Sequence, residues 1–116
     1  MRKKNKGRAL SRLKYQRKAL LSTMATSLFT YEKITTTEAK AKELRIVAEK
    51  FITRARDNSI ANRRLLLQRL SPKIVKKLME EIAPKYLTRQ GRYTRIIRLG
   101  ARKSDATKMV IIELVK

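Results

Sequence analysis

Residues 93–99, YTRIIRL, and residues 109–115, MVIIELV, decide the fold. Both are rich in β-branched side chains and read with a period near two, as strands do. In the first, Tyr93, Arg95, Ile97 and Leu99 share one face, and Thr94, Ile96 and Arg98 share the other. Residues Gly100 to Lys108 link the two, which are expected to pair antiparallel. Before Pro84 the period is instead about 3.6. Ala41, Leu44, Val47, Ala48, Phe51, Ile52 and Ala55 make one continuous apolar stripe. That stripe predicts a helix ending before Asp57-Asn58-Ser59. Thr35 and Glu38 have capping-box spacing and place its start. Glu38 with Lys42, and Arg45 with Glu49, add charge pairs on its outer faces.

Working outward, Leu13, Arg17, Leu20, Leu21, Met24, Leu28 and Phe29 recur at helical steps. They predict a first helix from an N-cap at Ser11 to about Thr30 or Tyr31. Residues 33–36, KITT, suit a brief strand or extended link. A short helix is expected over 61–70, and a fourth opens at Ser71-Pro72, an N-cap followed by proline. Ile74, Val75, Leu78, Met79 and Ile82 form its stripe, and Pro84 should stop it. The expected architecture is α+β: four helices packed on one face of a small sheet of about three strands. A basic N-terminal arm occupies residues 1–10, and a single domain fills 11–116.

The 116 residues carry 31 Lys and Arg against 9 Asp and Glu, a net charge of +22. Charge of one sign repels itself, and a polyanion relieves the repulsion. Cysteine and histidine are both absent, which removes thiolate metal sites and the commonest general base. The acids lie mostly beside cations on helices, and Glu80 and Glu81 point about 100° apart. No phosphate-binding glycine pattern is present. The chain is therefore not expected to be an enzyme, nor to need a cofactor, a metal or a small-molecule substrate. No apolar run is long enough to span a bilayer, and the N-terminus has no secretory pattern. A cytoplasmic protein that avoids the membrane is the expectation.

The candidate RNA-binding residues fall in clusters. Arg2, Lys3, Lys4, Lys6, Arg8, Arg12, Lys14, Arg17 and Lys18 place nine cations in eighteen residues before the first acid, Glu32. Such an arm suits the deep grooves of folded RNA. Lys85, Arg89, Arg92, Arg95, Arg98, Arg102 and Lys103 form a second run, uninterrupted by acid between Glu81 and Asp105. Arginine dominates it, and a guanidinium can grip phosphate bidentately or stack on a base. Tyr93 either stacks on an unpaired base or serves as a core aromatic. Arg63, Arg64 and Lys40 are either contacts or merely solvated helix charge. A basic DNA-binding or nucleoid-type protein is the alternative, although no helix-turn-helix pattern supports it.

The order of several blocks resembles one family. Met1-Arg2 with Gly7-Arg8, Arg17-Lys18-Ala19-Leu20-Leu21, Ala25-Thr26-Ser27-Leu28, Ile34-Thr35-Thr36-Thr37 and Ala39-Lys40-Ala41-Lys42-Glu43-Leu44 come first. Ala83-Pro84-Lys85-Tyr86, Tyr93-Thr94-Arg95-Ile96 and Ile112-Glu113-Leu114 follow. Together they resemble the bacterial large-subunit ribosomal protein seventeen family across nearly the whole chain. The resemblance implies a structural protein of the ribosome, bound to large-subunit ribosomal RNA near the outer end of the peptide exit tunnel. It also implies neighbouring large-subunit ribosomal proteins as partners. The family often has histidine at the positions of Lys3 and Gln16. It commonly has glycine where Arg92 and Ser104 stand, which points to altered turns at both ends of the first long strand.

Overall fold

A computed structural model describes residues 13–116. The elements run α1 (Lys14–Tyr31), β1 (Lys33–Thr37), α2 (Glu38–Arg56), α3 (Ile60–Leu67), α4 (Pro72–Lys77), β2 (Thr94–Ala101) and β3 (Lys108–Leu114). The three strands form one antiparallel sheet in the order β1-β3-β2. The last strand thus lies in the middle, with Ile112 opposite both Ile34 and Ile96. This is the expected α+β arrangement of four helices on a three-stranded sheet.

The helix α2 carries the core. Its stripe of Ala41, Leu44, Ala48, Phe51, Ile52 and Ala55 is buried, with Val47 half-buried beside it. It packs on all three strands and on α1 and α3. Leu21, Ala25, Leu28 and Phe29 close the core from α1, and Val110, Ile112 and Leu114 from β3. Of the three leucines 65 to 67 only Leu66 is buried. The opposite sheet face is open: Ile97 and Leu99 are exposed, and Met109 and Ile111 are partly covered.

Several details differ from expectation, each for a physical reason. The N-cap position of α1 is Leu13, not Ser11, and Ser11 lies outside the described residues. The Leu13 N–H is met by Gln16 Oε1 at 3.4 Å. The N-cap of α2 is Thr37 rather than Thr35, because β1 keeps pairing as far as Thr37 opposite Met109. The Thr37 hydroxyl accepts from the Lys40 N–H. Ser59 and Ser71 cap α3 and α4, accepting from the Asn62 and Ile74 N–H groups. Pro84 does not simply end α4. The helix widens to a π-turn over Leu78–Ile82 and then tightens to a 3₁₀ turn over Ala83–Tyr86. Proline has no N–H to return, and its ring would crowd the Glu80 carbonyl of a regular helix. At Arg92 φ is 58°, a left-handed conformation of the kind that glycine favours. The arginine there costs about 1 kcal/mol of backbone strain. In the other turn the left-handed residue is Ala106, not Ser104.

Of the two roles open to Tyr93, the structure shows the core aromatic. It is fully buried, so its ring is not available to stack on a base. Arg56 Nη1 donates to its hydroxyl oxygen at 2.6 Å, and the Thr53 hydroxyl donates at 3.2 Å. Arg56 Nη2 also donates to the Leu87 carbonyl at 3.0 Å. The Tyr86 ring lies 5.2 Å from that of Tyr93, and the Tyr86 hydroxyl donates to the Val115 carbonyl. Burial opposes ionisation of the Tyr93 phenol. The donors Thr53, Gly91 and Arg56 outweigh it and hold the pKa below its ordinary value. Next door, Glu49 accepts from both the N–H and the hydroxyl of Thr94 at 3.3 and 3.1 Å. An acid expected on an outer face thus ties α2 to the start of β2.

Replacing Tyr93 with phenylalanine keeps the ring but removes the acceptor for Arg56 and Thr53. Arg56 then keeps only the Leu87 carbonyl, and the expected loss is about 1–3 kcal/mol of stability. Thermal or urea unfolding checks this, and an unchanged midpoint contradicts the role given to the hydroxyl.

Candidate nucleic-acid interface

The cations are held outside this core, and the fold divides them. Arg2, Lys3, Lys4, Lys6, Arg8 and Arg12 lie outside the described residues. Lys14, Arg17 and Lys18 occupy the first turns of α1, before its first buried residue, Leu21. They sit at the positive end of the helix dipole, with no acid in the first turn. Cations are unfavourable there until an anion joins them.

The run from Lys85 to Lys103 is not one patch. Arg89 and Arg92 lie in the loop before β2, whereas Arg102 and Lys103 follow its far end. Eight strand residues separate the two groups by roughly 25 Å. At the near end, Arg89 and Arg92 are exposed. A groove of about 510 Å³ lies beside them, lined by Ile46, Lys50, Thr53, Arg54, Asn62 and Gly91, with Glu49 also on its wall. Lys50 and Arg54 were not singled out from the sequence. Their spacing, four apart on the polar side of α2, was the available signal. Arg63 is half-buried and Arg64 exposed on α3.

At the far end of the sheet, the start of α2 meets the β2–β3 turn. Thr37, Glu38, Ala39, Lys42, Thr107 and Lys108 line a shallow groove there. The Glu38 carboxyl is held below its usual range, chiefly by a hydrogen bond from Lys42, with Arg98 and Lys108 adding to the field. Lys42 bridges Glu38 at 2.9 Å. Arg98 therefore lies on the helix side of the sheet, near this groove. Lys40 is half-buried in the first turn of α2. Lys42 and Lys108 join the site only through the fold.

Arg95 and Arg98 face opposite ways, as their spacing requires. Arg95 stands opposite Glu113 in the ladder and pairs with it at 3.2 Å, remaining more than half exposed. Its charge is partly answered within the protein, while that of Arg98 is less so. Arg102 grips Asp105 with two bonds of 3.0 and 2.6 Å, leaving Lys103 at the exposed tip. Among the described residues, no ion pair involves Arg54, Arg63, Arg64, Arg89, Arg92 or Lys103. No group of three or more carboxylates is placed to hold a metal ion among those residues. Among the described residues, no helix is long and apolar enough to cross a membrane.

Comparison with known proteins agrees with the basic surface. The family model described as Ribosomal protein L17 matches residues 20–115. The large ribosomal subunit protein bL17 of Thermoanaerobacter sp. (strain X514) is 50% identical over 109 residues, covering 93% of this chain and 97% of its own. That of Pelobacter propionicus is 49% identical over 117 aligned positions, covering all of this chain and 92% of its own. That of Desulfitobacterium hafniense is 50% identical over 109 residues, with coverage of 93% and 97%.

The Arg102–Asp105 pair makes the β2–β3 turn resistant to acid. The Arg102 hydrogen bonds and the Thr107 N–H hold the Asp105 carboxyl far below the usual range. A depressed folded pKa contributes stability that is present above the unfolded value of about 3.9 and lost only as pH falls through the folded one. The Thr107 amide resonance should therefore titrate below the ordinary aspartate range. A midpoint near an ordinary aspartate value contradicts the pairing.

Proposed function

The chain belongs to the ribosomal protein L17 family, and from that membership we propose that it is a structural constituent of the large ribosomal subunit, in the cytoplasm, that binds and stabilises folded large-subunit RNA. It is not an enzyme. The observation that supports RNA binding most is the division of labour among its charges. The acids pair with fold-holding cations, as Glu113 does with Arg95 and Asp105 with Arg102. Among the described residues, Arg54, Arg63, Arg64, Arg89, Arg92 and Lys103 stand outside with no ion pair.

Three basic regions then grip different parts of the RNA. The arm residues Arg2 to Arg12 continue into Lys14, Arg17 and Lys18 at the start of α1, where a phosphate would also answer the helix dipole. Arg89 and Arg92, with Lys50 and Arg54, form the second region. Arg98 and Lys103, with Lys40 and Lys108, form the third, and Arg102, paired with Asp105, holds the turn that carries Lys103. Regions at both ends of β2 fit a sheet whose ends, and not its flat face, meet RNA. The arginines among these positions allow bidentate contacts to phosphate. Neighbouring large-subunit ribosomal proteins are the other partners. A location near the outer end of the peptide exit tunnel is part of the same proposal, and rests on the family alone.

The test is a salt titration of binding to a large-subunit RNA fragment. Each phosphate contact contributes roughly −0.7 to −0.9 to the slope of log K against log salt. At least about six contacts are expected. A nearly flat titration overturns the electrostatic reading. Equal or tighter binding to double-stranded DNA of matched length favours a nucleoid-type protein instead.

A further inference from the structure

The first two turns of α1 are an anomaly of packing. An 18-residue helix begins at Lys14, yet nothing before Leu21 is buried. Leu13 is 60% exposed and Tyr15 68% exposed. An isolated surface tyrosine is ordinary. This one stands on a helix segment with no core of its own, between Lys14 and Lys18, next to the most basic stretch of the chain. At helical spacing Tyr15, Lys18 and Ser22 lie on one face. Ser22 accepts from Arg69 Nε at 3.1 Å, so the same face runs on to a further guanidinium. No hydrogen bond or ring contact to Tyr15 occurs among the described residues.

We propose that Tyr15 is a stacking platform for an unpaired nucleobase of the bound RNA, with Lys18 and Arg69 on the flanking phosphates. The proposal rests on the RNA-binding reading and adds to it a residue and a ligand class. A phosphate alone would need only the cations. A duplex buries its base faces and offers nothing for the ring to stack on. An unpaired base offers a π-face, and aromatic stacking on it tolerates any base identity. The role the sequence offered to Tyr93 thus passes to a tyrosine outside the core. Tyr31, 71% exposed at the opposite end of α1, serves as the control.

The experiment measures binding of the full chain to two labelled probes at fixed salt, a single-stranded oligoadenylate and a blunt RNA duplex of equal charge. Tyr15→Ala should weaken oligoadenylate binding by about 5- to 100-fold and leave duplex binding nearly unchanged. Tyr15→Phe should restore most of the loss, because the ring and not the hydroxyl does the stacking. Tyr31→Ala should have little effect. Melting curves of the variants should match the parent, since neither side chain is buried. Equal losses on both probes, equal losses from Tyr15→Ala and Tyr31→Ala, or no loss at all overturns the proposal while leaving RNA binding intact. A loss seen only during incorporation into ribosomal particles, and not on the probe, points to a protein neighbour and also overturns it. Failure of the parent protein to bind either probe sinks the RNA-binding reading itself.

Discussion

Thirty-one cations and nine acids must be arranged so that the chain can fold before any partner neutralises it. That constraint shapes the whole molecule. The core is built mainly from apolar residues of α1, α2, α4 and β3, and on the inner face of the sheet Arg98 lies at its far end, outside that core. Acids are used where two elements must be held together. Glu49 ties α2 to Thr94 at the start of β2, Glu113 spans β3 to Arg95, and Glu32 reaches Lys85. Exposed pairs of this kind contribute little individually. Their placement still reduces repulsion along the seams between elements and leaves the surplus on the ends and edges.

One cation is turned inward, and it fixes the geometry of the surface. Arg56 holds both the Tyr93 hydroxyl and the Leu87 carbonyl. Those two contacts bracket the loop that presents Arg89 and Arg92. The left-handed turn at Gly91 and Arg92 follows from the same anchoring, because the chain must reverse before Tyr93 enters the core. The left-handed Arg92 and the inward-turned Arg56 side chain both belong to the anchoring of this loop. A rigid loop loses less entropy when its arginines meet phosphate.

Much of the fold is legible in the sequence because its signals are local. The stripe of α2 is continuous over about four turns, the change of period at Pro84 separates helices from strands, and Ser71-Pro72 marks a helix start without ambiguity. The less legible features depend on distant partners. Tyr93 looks like a surface residue among arginines, since Thr53 and Arg56 lie about forty positions earlier. Adjacent cations from Arg89 to Lys103 look like one patch, but a strand stretches them to opposite ends of the sheet. Conversely, Lys42 and Lys108 share a groove only because β1 and β3 pair up to Thr37 and Met109. The early turns of α1 carry helical spacing without burial, so their periodicity overstated the core.

The protein is a folded core with a large surplus of positive charge, which the proposed RNA partner would answer. Thermal unfolding of the free chain as potassium chloride rises from very low concentration tests this most directly. Screening is substantial by about 0.1 M, where the Debye length is about 10 Å. The melting temperature should climb over that range as self-repulsion is screened, and added ribosomal RNA at low salt should raise it further. A melting temperature that stays level or falls with added salt contradicts the claim that unanswered positive charge governs this structure.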